Sequence, residues 1–156
     1  MHPAVQAAQL IRERYPQDKA STLIGILLKE HHITLDLWPV KTDKFAGCLW
    51  RNGDEWTIVL NTRQSSQRRL FTVAHELGHY FLHRQLQNQF TCNNSSAACS
   101  TTLEREANAF AAELLMPAHQ IHQYVQHHYH PSRTANLLGV SEEALKYRLQ
   151  HLRLER

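Results

Sequence analysis

The sequence predicts an α+β fold, and three observations predict it. Two stretches of helical periodicity open the chain, three short alternating stretches follow, and from about residue 66 onward only helix-like spacing remains. Strands gathered ahead of the main run of helices give a small antiparallel sheet of about three strands beside a helical part. At 156 residues, the length is that of one domain spanning 1 to 156.

The elements follow in order. Residues 3 to 15 (PAVQAAQLIRERY) and 20 to 30 (ASTLIGILLKE) space their apolar side chains as helices do. The stretches ITLDLW (33 to 38), AGCLWR (46 to 51) and WTIVLN (56 to 61) read as strands, the last two joined by the turn residues NGD, and together as an antiparallel meander. Helices are then expected near 66 to 84, 102 to 116, 117 to 129, 132 to 138 and 142 to 153. The polar, Asn- and Ser-rich stretch from 84 to 100 reads as a long loop, of the kind that is often functional.

An apolar fraction of 42% and a charged fraction of 20% exclude a disordered chain, and no apolar run approaches the roughly 20 residues of a membrane helix. The opening MHPAVQAAQL has neither the basic start nor the long apolar core of a signal peptide, so the expected location is cytoplasmic. Three cysteines (Cys48, Cys92, Cys99) in a chain of this size read as free thiols in a reducing compartment, with pairing or metal binding by Cys92 and Cys99 as the lesser alternative. A net charge of +3 is too small to imply nucleic acid.

The stretch TVAHELGHYFLH (72 to 83) carries the chemistry. His75 and His79 lie one turn plus 40° apart on a helix, so both rings project from one side and can share a metal ion. The apolar stripe of the same helix runs through Leu70, Ala74, Leu77, Gly78 and Phe81, away from both histidines. Gly78 costs roughly 1 kcal/mol against alanine in a helix interior, which suggests that another element packs closely there. His83 continues the four-residue series and reads as a partly exposed residue of the helix. The pattern H-E-x-x-H needs a third ligand, because catalytic zinc takes three protein ligands and keeps one position open.

The candidate third ligands lie in TTLEREANAFAAELLMP (101 to 117). Glu104 sits about 60° from the centre of the buried face of that helix, whereas Glu106 and Glu113 lie farther off and read as solvated. A second role competes for Glu104: Thr101 to Glu104 also fits a capping box, in which the glutamate only bonds the helix start. Spacing leaves the two roles open. Asn108, four residues on, can stand behind a ligating histidine and take its free ring N–H, or simply face solvent.

If the three ligands meet, the metal acts as a Lewis acid and Glu76 as the base that takes the proton of the attacking water, which is peptide hydrolysis. Such chemistry also needs a donor to the developing oxyanion, and Tyr80, His122 and Tyr124 are candidates. An exposed edge at AGCLWR or WTIVLN could hold an extended substrate.

The segments RRLFTVAHELGHYFLH and LEREANAFAAELLMP resemble the ImmA/IrrE family of zinc-dependent endopeptidases, and the strands ending IVLN are similar to that family's lead-in to its active-site helix. The resemblance covers about residues 46 to 117. It implies a zincin-like metallopeptidase domain with His75, His79 and Glu104 as ligands of one Zn2+, Glu76 as catalytic base, and Asn108 behind in an E-x-x-x-N arrangement. Sites of this type also accept Mn2+ and other divalent ions. The family's substrate is a helix-turn-helix repressor encoded nearby, cut to relieve repression of phage, mobile-element, toxin-antitoxin or stress-response genes. The chain looks like the family's short stand-alone form.

Two other functions compete. The protein could sequester the repressor without cutting it, as an anti-repressor or toxin-antitoxin partner. Residues 132 to 154 also have a helix-turn-helix outline, with Gly139 ending one helix, Ser141 capping the next and Val140 stapling onto Leu145. Glu142 and Glu143 would meet phosphate at the first turn of the second helix, which argues against direct nucleic-acid binding despite Lys146, Arg148, Arg153 and Arg156. The histidine-rich stretch from 119 to 130 reads as a titratable surface helix.

Overall fold

The computed structural model describes residues 2–17, 19–93 and 101–155. Two helices, α1 (Pro3–Arg14) and α2 (Ala20–Glu30), precede three strands, β1 (Ile33–Trp38), β2 (Phe45–Asn52) and β3 (Glu55–Asn61). The long helix α3 (Ser66–His83) follows, then β4 (Gln89–Asn93), and then α4 (Thr102–Leu115), α5 (Ala118–Gln126), α6 (Pro131–Leu138) and α7 (Glu142–His151). Local chemistry sets several boundaries. Pro3 occupies the first turn of α1, where its missing N–H costs nothing, and Gly53 turns the β2–β3 hairpin with a φ of 62°.

The α+β class holds, but the sheet is not a three-stranded meander. Among the described residues it has four strands in the order β1-β3-β2-β4, with β3 parallel to β1 and antiparallel to β2. The chain leaves β1, passes the end of β3 and enters β2. The Asn61 side chain ties down this connection by donating to the carbonyls of Thr42 and Phe45. Alternation identifies strands and says nothing about their order, but β3 carried a cue to its central place. Ile58, Val59 and Leu60 are all buried, as in a strand covered on both faces.

The fourth strand lies in the stretch expected to be a loop. Gln89–Asn93 pairs antiparallel with β2, with Phe90 opposite Leu49 and Cys92 opposite Gly47. As a result β2 and β3 are interior strands, and the edges of the sheet are β1 and β4. The anticipated Cys92 and Cys99 pair involves a position outside the described residues.

The core joins the inner side chains of the sheet to the helices through Leu49, Ile58, Leu77, Phe110, Leu114 and Ile121, all fully buried. Helix α3 lies between the sheet and α4, so its residues are covered on two sides. No helix of the described residues is long and apolar enough to cross a membrane.

Candidate metal centre

Helix α3 begins at Ser65, whose hydroxyl accepts the Arg68 N–H at 3.2 Å. Residues 72 to 80 of the helix are buried without a break. Gly78 explains how α4 comes so close: a Cβ at this position would stand 3.1 Å from both the Cα and the carbonyl oxygen of Ala107, and 3.2 Å from the Phe110 ring. That approach places Glu104, three residues before Ala107, over the two histidines.

Three side chains from two helices converge there. His75 Nε2 and His79 Nε2 are 3.1 Å apart, and each is 3.1 Å from one oxygen of Glu104. A tetrahedral ion with bonds of about 2.0–2.1 Å keeps its ligand atoms roughly 3.3 Å apart. Two nitrogens and a carboxylate at that spacing therefore fit a zinc-sized ion without rearrangement. The electrostatics point the same way. Burial lowers the pKa of His79 and the neighbouring His75 and His83 add to this, outweighing the hydrogen bond and charge of Glu104, which raise it. Partial burial raises the Glu104 carboxyl, but hydrogen bonds from His75 and His79 outweigh this and bring it down to about 2, so it stays ionised.

Both roles proposed for the start of α4 have a structural counterpart, divided between two residues. Thr101 caps the helix by accepting the Glu104 N–H at 3.2 Å, while the Glu104 carboxylate turns to the histidines and does not bond back to the helix start. Behind the cluster, His75 Nδ1 donates to Asn108 Oδ1 at 2.9 Å. This bond fixes the ring with Nε2 facing Glu104.

Glu76 is fully buried, and among the described residues neither carboxylate oxygen has a hydrogen-bond partner of ordinary geometry. Burial first, and then the charge of Glu104, push its pKa well above the ordinary carboxylate range, against the pull of the Leu49 backbone N–H. A buried carboxylate without partners is costly unless a cation or water meets it.

A family model described as the IrrE N-terminal-like domain (Peptidase_M78) matches residues 30–150. The chain belongs to this family. Among curated relatives, Metallopeptidase ImmA of Bacillus subtilis (strain 168) is 43% identical over 63 residues, which cover 40% of this chain and 36% of that protein. An uncharacterized immunity region protein 2 of Bacillus phage phi105 is 34% identical over 86 residues, 55% of this chain and 54% of that one. The chain thus matches between a third and just over half of the length of these relatives. Among solved structures, a Mycobacterium tuberculosis transcriptional regulator superposes with a TM-score of 0.67 at 17% identity, over 96% of this chain and 46% of that one. This last likeness concerns the fold alone.

In this member of the IrrE N-terminal-like family, the remaining sequence candidates fall in different places. Tyr80 is buried and turns its hydroxyl toward His31 Nδ1 at 3.4 Å, with its ring packed edge-on against Trp56. His122 is exposed on α5, and Tyr124 stacks on Tyr129 at 5.3 Å. Two expectations about acids and histidines are overturned. His83 is buried, not partly exposed, because Phe90 of β4 and Glu106 of α4 cover it. Glu113 is buried too, not solvated: it pairs with Arg148 of α7 and accepts from Gln9 of α1 and from the Ala118 N–H, each at 3.3 Å.

From β4 come Phe90, which sequence reasoning missed, and Cys92, which it named as a thiol or a partner of Cys99 but did not place at this site. The Phe90 ring stacks on His79 at 4.4 Å, and Cys92 brings its sulfur within 4.8 Å of the ligating atoms of His75 and Glu76. The alternation of Phe90 and Cys92 with Gln89, Thr91 and Asn93 was the available signal. The surrounding Asn and Ser residues obscured it.

Proposed function

We propose that the chain is a zinc-dependent endopeptidase in which His75, His79 and Glu104 hold the metal and Glu76 is the catalytic base. The observation that carries this reading is the triangle of three donor atoms at 3.1 Å beside a buried, unpartnered carboxylate. When bound, the zinc ion supplies Lewis acidity to the scissile carbonyl and acidifies the attacking water; Mn2+ and other divalent ions would suit the same donors. The protein residues do the rest. Glu76, with its raised proton affinity, takes the proton of the water and hands it to the departing amine. Asn108 holds His75 in one orientation, and the Glu104 carboxylate, ionised at neutral pH, completes the donor set.

The substrate is a helix-turn-helix repressor encoded nearby, whose cleavage relieves repression of phage, mobile-element, toxin-antitoxin or stress-response genes in the cytoplasm. The immunity-region name of the phage phi105 relative supports that class of substrate. The C-terminal pair does not favour direct DNA binding. Arg148, one of its four cations, is buried against Glu113 and cannot reach phosphate.

The test is Glu76→Gln, co-expressed with the adjacent repressor. Repressor cleavage should fall about 10²- to 10⁴-fold while metal and repressor binding persist. Full derepression by the variant with no cleavage product would establish sequestration instead.

A further inference from the structure

Behind His79 lies a second line of polar contacts, on the side away from Glu104. His79 Nδ1 is 2.9 Å from His83 Nδ1, and His83 Nε2 is 2.8 Å from Glu106 Oε2. His79 and His83 are buried, whereas the Glu106 side chain is 30% exposed at the rim. Phe90 flanks both rings, with centroids at 4.4 Å from His79 and 6.1 Å from His83.

We propose that His83 and Glu106 are positioning residues for His79, forming an imidazole–carboxylate relay that fixes its tautomer and strengthens it as a metal ligand. The proposal rests on the reading of His75, His79 and Glu104 as ligands. Proton accounting along the line has one solution. A metal takes the lone pair of His79 at Nε2, so the ring proton of His79 sits on Nδ1 and must be donated. The group within reach is His83 Nδ1, which has to present a lone pair, so the His83 proton sits on Nε2. There it meets the Glu106 carboxylate. Each bond forces the next, and the negative charge at the far end makes His83 a better acceptor and His79 a more basic ligand.

The two ligating histidines are therefore held by different chemistry. Asn108 offers His75 a neutral amide oxygen, whereas His79 leans on an imidazole backed by a charge. If His83 only filled space under Phe90, Glu106 at the rim would be irrelevant to the metal. That difference makes Glu106 the informative residue.

The experiment measures zinc affinity by competition with a chromogenic chelator in the full chain, for wild type, His83→Ala, Glu106→Ala and Glu106→Gln. Long-range 1H–15N imidazole spectra of the zinc-loaded wild type accompany it. Affinity should fall about 10- to 100-fold in His83→Ala and Glu106→Ala, and Glu106→Gln, which keeps an acceptor oxygen but not the charge, should fall short of wild type without losing more than Glu106→Ala. The spectra should show His83 with its proton on Nε2. Should His83→Ala fail to fold, Glu106→Ala decides the matter. Wild-type affinity in Glu106→Ala or in Glu106→Gln, or a His83 proton on Nδ1, overturns the relay and leaves the metal site standing. Wild-type protein that takes up no zinc overturns the metal site and the relay together.

Discussion

Glu76 on α3 and Glu113 on α4 are both buried carboxylates, and the structure treats them in opposite ways. Glu113 faces a guanidinium: Arg148 reaches it from α7 and also donates to the Met116 carbonyl at 3.0 Å, while Gln9 and the Ala118 N–H fill out its acceptor sites. Glu76 has no such company among the described residues; the charge of another carboxylate, Glu104, raises its pKa further. A buried charge that is fully paired ties helices together. One that is left unpaired is costly unless a proton or a cation meets it, which is what the proposed role of Glu76 requires.

The same chemical change at both positions should separate the two roles. Under the proposed mechanism Glu76→Gln removes a base worth about 10² to 10⁴ in rate, and it also removes a buried carboxyl whose ionised form is costly. The metal-free variant should therefore melt at or above the wild-type temperature by calorimetry, with peptidase activity lost. Glu113→Gln leaves Arg148 buried without a counter-charge, and should lower stability by about 3–5 kcal/mol in denaturant titration. Zinc affinity of the molecules that remain folded should not change. A stable Glu113→Gln variant, or a Glu76→Gln variant that unfolds, would erase the contrast.

A smaller effect tests the contact that brings the two helices into register. Gly78→Ala gains roughly 1 kcal/mol of helix propensity, but the added methyl meets the Ala107 backbone at 3.1 Å, and overpacking costs about 1–3 kcal/mol. A net loss of about 1 kcal/mol is expected, together with weaker zinc binding as Glu104 is pushed off the histidines. Unchanged zinc affinity would mean that the spacing of α3 and α4 does not set the site.

What could be read from the sequence was whatever depends on one element at a time. His75, Glu76 and His79 follow from helical spacing, and the helices at 20 to 30 and 66 to 84 lie within a residue of their expected ends. Glu104 needed more than spacing, since the competing cap at Thr101 is real and is met by the backbone N–H of the same residue. Misreadings arose where burial depends on several elements. Glu113 lies off the face of α4 that meets α3, and only α1, α5 and α7 together enclose it. His83 looked exposed because β4, which helps to cover it, was hidden among Asn and Ser residues. Strand order was out of reach for a similar reason, as β1 pairs with β3 across a connection held by the Asn61 side chain.

The central claim is that three side chains from two helices hold one metal ion. Elemental analysis of protein purified gently and without chelators tests it most directly, comparing wild type with Glu104→Ala. The account predicts about one zinc per wild-type chain and its loss from the variant. Wild-type protein without stoichiometric metal, or a Glu104→Ala variant that keeps its zinc, would contradict it.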